Sequence, residues 1–316
     1  MPEQHWSQTR EVTRTWGIGF LLAVFRFGGR SLFHATLWPV VFCYWLLNGH
    51  ARRASTLFLS RAFACRREKR PLFASLRHFF RFADTILDKI LAASGSLSRK
   101  DLVVINSETL HSSQTGGIIV TSHTGCLELC QVLAHLPNAH RMHVLVHTAH
   151  AAKFNTIIAR FNPAFQASQI EVTSIGPDTA IRLSEYIERG DLVAIAGDRT
   201  AIGSESSLVA PFLGHEAPFP VGPFILSMLL HCPVWSMICT RDPQRKARYK
   251  VTFQRLATPD HIPRTKRQEH LQNVVNAWAN ELSERILESP YDWFNFFDFW
   301  NPSKQNTKNR QKHSFL

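Results

Sequence analysis

Gly117-Ile118-Ile119-Val120-Thr121-Ser122-His123-Thr124-Gly125-Cys126-Leu127-Glu128 is the stretch on which the fold turns. Its first half is a short run of apolar, mostly β-branched residues, preceded by Gly116. Such a run reads as a strand covered on both faces, because a strand with one wet face alternates apolar with polar. Thr124-Gly125 breaks the extended chain, and a helix is expected to begin near Cys126 with Glu128 in its first turn. Strand, turn and helix in that order put His123 at the carboxyl end of a strand, the edge at which open α/β sheets bind ligands.

The pattern repeats outward from this stretch. Further strands are expected at 102–105, 143–147, 170–174, 192–196, 234–240 and 249–253, beside 118–122. The clearest helix covers 178–189: Asp178 suits the N-cap, Gly190 the stop, and Ala180, Leu183 and Ile187 share a face. A last long helix is expected over 266–288. Strands alternating with helices predict an α/β fold with a mainly parallel central sheet covered by helices. No internal repeat is present.

The amino-terminal end differs. Apolar runs at 16–25 and 32–47 flank Arg26-Phe27-Gly28-Gly29-Arg30. Each is shorter than the ~20 residues that span a bilayer upright. They form a helical hairpin or tilted anchor, lie in the membrane plane with Trp16, Trp38 and Trp45 at headgroup depth, or are two core helices. Arg52, Arg53, Arg61, Arg66, Arg67, Lys69 and Arg70 follow, a basic flank that favours the cytoplasmic side or, more blandly, a solvated helix face. The expected organisation is a membrane anchor over 1–50, a basic helical segment over 51–98, the α/β domain over 99–300 and a basic, disordered tail over 301–316.

The 316 residues include 36 Lys+Arg against 24 Asp+Glu, a net charge of +12. This surplus suits an anionic partner. No zinc-finger spacing or RNP-like aromatic strand accompanies it, which sets nucleic acid aside in favour of anionic membrane lipid or an acidic carrier protein. Six cysteines without a CxxC pair point to reduced, buried thiols rather than a disulfide scaffold.

Chemistry centres on His123 and Glu128. A carboxylate five residues on, across a strand–turn–helix junction, is within reach of the far ring nitrogen, where it fixes the tautomer and stabilises the imidazolium. Helix N-terminal N–H groups nearby suit a developing oxyanion. A histidine base with an orienting acid is what hydroxyl attack on a thioester needs. H-x4-[DE] alone fixes only two positions, so context decides its weight.

That context is a resemblance. The chain resembles the late acyltransferases of lipid A biosynthesis, within the lysophospholipid acyltransferase superfamily. The matching blocks are His123-Thr124-Gly125-Cys126-Leu127-Glu128, then Gly197-Asp198-Arg199-Thr200, then Pro211-Phe212-Leu213-Gly214 running into Phe219-Pro220-Val221-Gly222-Pro223-Phe224 and Cys232-Pro233-Val234. The closing Trp293–Trp300 block looks like the branch found with aryl-polyene lipid pathways. The resemblance implies a glycerolipid acyltransferase-like fold and an inner-membrane enzyme with its catalytic domain on the cytoplasmic face. It also implies no metal and no cofactor, with acyl groups taken from acyl carrier protein or coenzyme A and passed to a lipid or glycolipid hydroxyl. His123 and Glu128 are then catalytic, and Asp198, Arg199, Gly125 and Gly222 bind substrate. Cys126-Leu127 departs from the Asn-Trp of the better-known members, as does the absence of an aromatic after His123.

Each candidate has a plainer counterpart. Arg199 clamps a phosphate, or makes a structural pair with Asp198. Gly214, Pro220, Gly222 and Pro223 shape a loop and helix start, or are simple turn chemistry. Lys153 and Arg160 contact an anion, or line a solvated face. Cys126 is a ping-pong nucleophile or a packed thiol, and direct attack by the acceptor favours the latter. His135, His140, His143, His147 and His150 invite a metal reading that their strand spacing and the lack of HExxH oppose. Residues 293–300 pack under the domain or lie at the bilayer interface. The competing functions are a lysophospholipid or glycerol-phosphate acyltransferase and a non-catalytic membrane-binding protein.

Overall fold

The computed structural model describes residues 15–111, 115–129, 140–146, 169–171, 177–199, 206–258 and 262–301. The strands are β1 (Leu102–Ile105), β2 (Gly117–Thr121), β3 (Met142–Val146), β4 (Gln169–Glu171), β5 (Leu192–Ala196), β6 (Ser207–Phe212), β7 (His215–Pro220), β8 (Val234–Arg241) and β9 (Tyr249–Ala257). The helices are α1 (Thr15–Leu47), α2 (Gly49–Cys65), α3 (Ala74–Ala93), α4 (Glu108–His111), α5 (Pro177–Glu188), α6 (Gly222–Leu229) and α7 (Arg267–Glu288). Seven strands form one sheet in the order β1-β9-β8-β2-β5-β3-β4, with every pair parallel except β8–β9. The mixed α/β class and mainly parallel sheet expected from the sequence are present.

Both faces of the sheet are covered, which explains the unbroken apolar runs. Ile118, Val120, Val193, Val234 and Ile238 pack with α2, α5 and α7 residues such as Phe58, Leu183, Val275 and Trp278. The alternate side chains Ile119, Leu192, Ala194, Trp235 and Met237 pack on the other face with Phe33, Leu37, Phe79 and Leu87 of α1 and α3. β6 and β7 were not expected. They form a separate antiparallel hairpin whose turn, Leu213-Gly214, has φ of 49° and 77° at its two residues. Positive φ at both positions matches the twist of a tight hairpin. Pro211, Pro218 and Pro220 hide the strands from a sequence reading, yet are tolerated because a two-stranded sheet has only edges.

The two amino-terminal apolar runs appear as one helical element broken at Gly29, where φ is 64° and ψ is −163°. No helix among the described residues is long and apolar enough to cross a membrane, so the spanning form of the expected anchor finds no support there. The segment after the break is tied to the domain by charge. Arg30 donates to Asp84 at 2.7 Å and Asp88 at 2.6 Å, two carboxylates one turn apart on α3. Arg241, Arg248 and the Tyr249 hydroxyl converge on Asp88 from the sheet at 2.7, 2.8 and 2.6 Å.

Candidate active site

The site begins with strand register. β2 and β5 are parallel neighbours, with Thr121 opposite Ala196, so both chains leave the sheet at the same edge. The Gly197 amide donates to the Thr121 carbonyl at 2.8 Å and carries the pairing one step beyond the strands. His123 and Asp198, each two residues past that last pair, are therefore side by side although 75 positions apart.

Their contact is bidentate. His123 Nδ1 lies 2.8 Å from Asp198 Oδ1, and the His123 amide donates to Oδ2 at 2.8 Å. A carboxylate only accepts, so Nδ1 carries the proton and Nε2 presents a lone pair. The His123 side chain keeps 39% exposure against 2% for Asp198, and Nε2 has no protein partner among the described residues. Burial would raise the Asp198 pKa, but His123 first and Arg199 after it hold it down at about 2. For His123 the balance is opposite: desolvation, then the Arg199 charge, outweigh Asp198 and lower its pKa. Asp198 gains more from the pair than burial costs it, and His123 does not. The resting state consistent with both is an ionised Asp198 beneath a neutral imidazole.

Glu128 does not orient His123 in this structure. It sits on a 3-10 turn over 127–129, and Lys89 Nζ of α3 donates to its Oε1 at 2.7 Å. No hydrogen bond or ion pair joins it to His123 among the described residues. The reason is the path of the chain. Gly125 adopts φ of +47°, Cys126 turns fully inward, and the next residues are carried toward α3. Burial lowers the Lys89 pKa, but the Glu128 charge and hydrogen bond raise it further. The helix expected from Cys126, with its oxyanion-binding amides, otherwise falls beyond Leu129, outside the described residues.

The other site residues separate into two groups. Arg199 is at the His123 pair, donating Nη2 to the Phe294 carbonyl at 3.2 Å with its guanidinium 5.9 Å from the Phe297 ring. Gly125 is there for a steric reason: a Cβ would lie 2.4 Å from the Cys239 carbonyl oxygen. Gly222 opens α6, is exposed, has open space around a would-be Cβ, and makes no hydrogen bond with the His123 group among the described residues. Cys126 is fully buried, and burial first, then Glu128, pushes its pKa well up, so it is a packed thiol. Cys232 and Cys239 are buried too, but Cys43 and Cys65 are exposed, which corrects the expectation of uniformly buried thiols.

His143 is held by Asp191 at 3.0 Å and stacks on Tyr186 at 4.1 Å, and His140 meets the Gly190 carbonyl at 2.7 Å. His135, His147, His150, Lys153 and Arg160 lie outside the described residues.

Two participants escaped the sequence reading. Lys89 is one of many basic residues and carries no local signal. Trp293 stood in an aromatic block open to two readings. The structure buries its side chain completely, with the indole N–H donating to Asp198 Oδ2 at 2.9 Å.

A sequence-family profile described as bacterial lipid A biosynthesis acyltransferase matches residues 77–301, more than two thirds of the chain. The chain belongs to that family. No curated protein matches it as a relative. The matched region runs from α3 through the sheet to the residue after Trp300, so it contains Lys89, His123, Glu128, Asp198, Arg199 and Trp293. This lipid A-type acyltransferase is thus an enzyme, which removes the non-catalytic membrane-binding reading.

Proposed function

We propose that this acyltransferase moves a fatty acyl chain from an acyl carrier protein or coenzyme A thioester to a hydroxyl of a membrane lipid or glycolipid, with His123 as general base. One observation carries the reading: the His123 imidazole at the sheet edge, tied through Nδ1 to Asp198 at 2.8 Å, leaves Nε2 available to the acceptor hydroxyl. As the hydroxyl oxygen attacks the thioester carbonyl, its proton passes to Nε2. Asp198 offsets the positive charge that develops on the ring. The thiolate then leaves with a proton returned from His123. Glu128 supports the site through Lys89 rather than through the ring. Arg199, one of the cations beside His123, suits an acceptor or phosphopantetheine phosphate. Gly125 and Gly222 act through backbone shape, at the loop after β2 and at the start of α6.

The proposed setting is the cytoplasmic face of the inner membrane. Its support is the net charge of +12 and an apolar surface on α1, where Phe27, Trp38, Val40, Phe42 and Leu47 are exposed. Apolar area next to basic residues suits anionic lipid. Acyl carrier protein, itself acidic, suits the same charge.

The test offers purified enzyme labelled acyl carrier protein and coenzyme A thioesters with a total membrane-lipid extract, and compares lipids of strains with and without the gene. Transfer from either donor, matched by one missing acylated lipid, is expected. That lipid's identity separates a lipid A-type acceptor, the aryl-polyene branch and a lysophospholipid. No transfer from either thioester overturns the reading.

A further inference from the structure

Three buried tryptophans are completely shielded from solvent, and their indole N–H groups meet different fates. Trp235 Nε1 has no hydrogen-bond partner among the described residues, and Trp278 Nε1 donates to the Gly197 carbonyl at 2.9 Å. Trp293 Nε1 alone among them addresses a carboxylate, Asp198 Oδ2, at 2.9 Å. We propose that Trp293 is a positioning residue of the acyl-transfer site, its N–H fixing the Asp198 carboxylate that in turn holds His123. This rests on the His123–Asp198 reading above.

Geometry makes the indole a suitable fixed point. Oδ2 accepts from the His123 amide and from Trp293, while Oδ1 takes His123 Nδ1, so both oxygens are pinned. Without the indole, rotation of the carboxylate is opposed on the Oδ2 side by one amide. The indole is clamped by Phe58, Phe212 and Phe299, edge-on at 4.9, 5.2 and 5.2 Å. Its own carbonyl accepts from His78 Nε2 at 2.9 Å, and His78 Nδ1 meets Ser55 Oγ at 2.9 Å. Burial lowers the His78 pKa to about 4, so that link is made by a neutral ring. The backbone on either side brackets the catalytic loop: Gly125 donates to the Asp292 carbonyl at 2.9 Å, and Phe294 donates to the His123 carbonyl at 2.8 Å. Helices α2 and α3 are thereby connected through Trp293 to Asp198.

The charged groups facing His123 are Asp198 and Arg199 after β5, and Lys89 of α3 with its partner Glu128. None is changed by W293F. Removing the indole donor leaves Asp198 less stabilised, so it pulls harder on the imidazolium and the acid limb of kcat moves to higher pH. A hydrogen bond to a charged acceptor justifies an expected fall in kcat of about tenfold, with KM for the acyl donor changed less than about twofold. The assay is transfer of a labelled acyl chain from acyl carrier protein to a total membrane-lipid extract, using the full chain across a pH series.

β-(3-benzothienyl)alanine at position 293 keeps the bicyclic volume and replaces only the N–H, which covers a folding failure of W293F. W278F loses a buried N–H that does not meet the carboxylate, and should lower the thermal midpoint without moving the acid limb. Wild-type kcat and acid limb in the benzothienyl variant overturn the role of Trp293, as does an equal limb shift in W278F. An active H123A variant instead overturns the underlying reading, so the two failures are distinguishable.

Discussion

Asp198→Asn is the sharpest perturbation of the proposed site, because the amide keeps the shape of the carboxylate and removes half its accepting capacity. Two N–H donors converge on Oδ2, from the His123 amide at 2.8 Å and Trp293 at 2.9 Å, and one ring nitrogen faces Oδ1. If Asn placed its NH2 on the Oδ2 side, two buried donors would confront two more, at roughly 1–3 kcal/mol for each group left unpaired. The carbonyl therefore takes that side and the NH2 faces Nδ1. Nδ1 must then accept, the ring proton moves to Nε2, and the atom that should take the acceptor's proton already carries one. General-base catalysis contributes about 10²–10⁴-fold, so kcat should fall by that range, or about 3–5 kcal/mol of barrier. Purified D198N would be assayed for acyl transfer, with thermal unfolding as the check on folding. A folded D198N within about threefold of wild type, with the wild-type acid limb, would refute the argument.

Glu128→Gln and Lys89→Met should each lower transfer about tenfold, since either leaves a partly buried charge without its 2.7 Å partner, and the double variant should be little worse than either single one. Additive losses would show that the two act separately. Asp88→Asn removes a fully buried carboxylate that Arg30, Arg241, Arg248 and Tyr249 share, and should destabilise by about 3–5 kcal/mol in denaturant unfolding. In the same cluster burial would raise the Asp84 pKa, but Arg241, His34, Arg30 and Arg248 lower it from 3.8 to about 2. The unfolded chain binds more protons in that window, so this stabilisation is fully present above pH ~4 and is lost as pH falls toward 2, which an acid-unfolding series would register. Gly125→Ala must displace the Cys239 carbonyl or the loop itself, and should cost both stability and activity, with a wild-type thermal midpoint counting against it.

The sheet was legible because its strands are short, apolar on both faces and separated by helical stretches, a pattern that follows from covering both sides. The hairpin β6–β7 was not, because three prolines and a positive-φ Leu213 mask a strand pair whose partners are only each other. At the site, His123 was placed correctly at the carboxyl edge of β2, and Asp198 at the same edge after β5. What the sequence did not supply was register. Five positions of separation suggested Glu128 as the partner of His123, whereas in-register parallel strands bring Asp198 there across 75 positions. Trp293 and Lys89 lie beyond any local pattern, because their role depends on a carboxyl-terminal strap and a helix meeting the same sheet edge.

The charges around His123 then have a consequence for the chemistry. At rest the ring is neutral, Asp198 and Glu128 are anions, and Arg199 and Lys89 are cations, so the group as a whole is balanced. Each carboxylate has a different duty: one faces the ring that becomes positive, the other faces an ammonium that stays positive. In the proposed reaction, attack on the thioester separates charge, with a cation growing on the imidazole and an anion on the carbonyl oxygen. Asp198 lies on the side where the cation grows. Arg199 and Lys89 both lie close enough to lower the His123 pKa, and so close enough to favour an anion forming over that ring. Desolvation first, then Arg199 and Lys89, lower the His123 pKa before reaction, and the two cations are also the groups that would attract the developing oxyanion during it. In that arrangement moving Glu128 onto the ring would weaken the site, by taking from Lys89 the carboxylate it donates to at 2.7 Å and giving His123 a second anion that favours its protonation before the acceptor arrives.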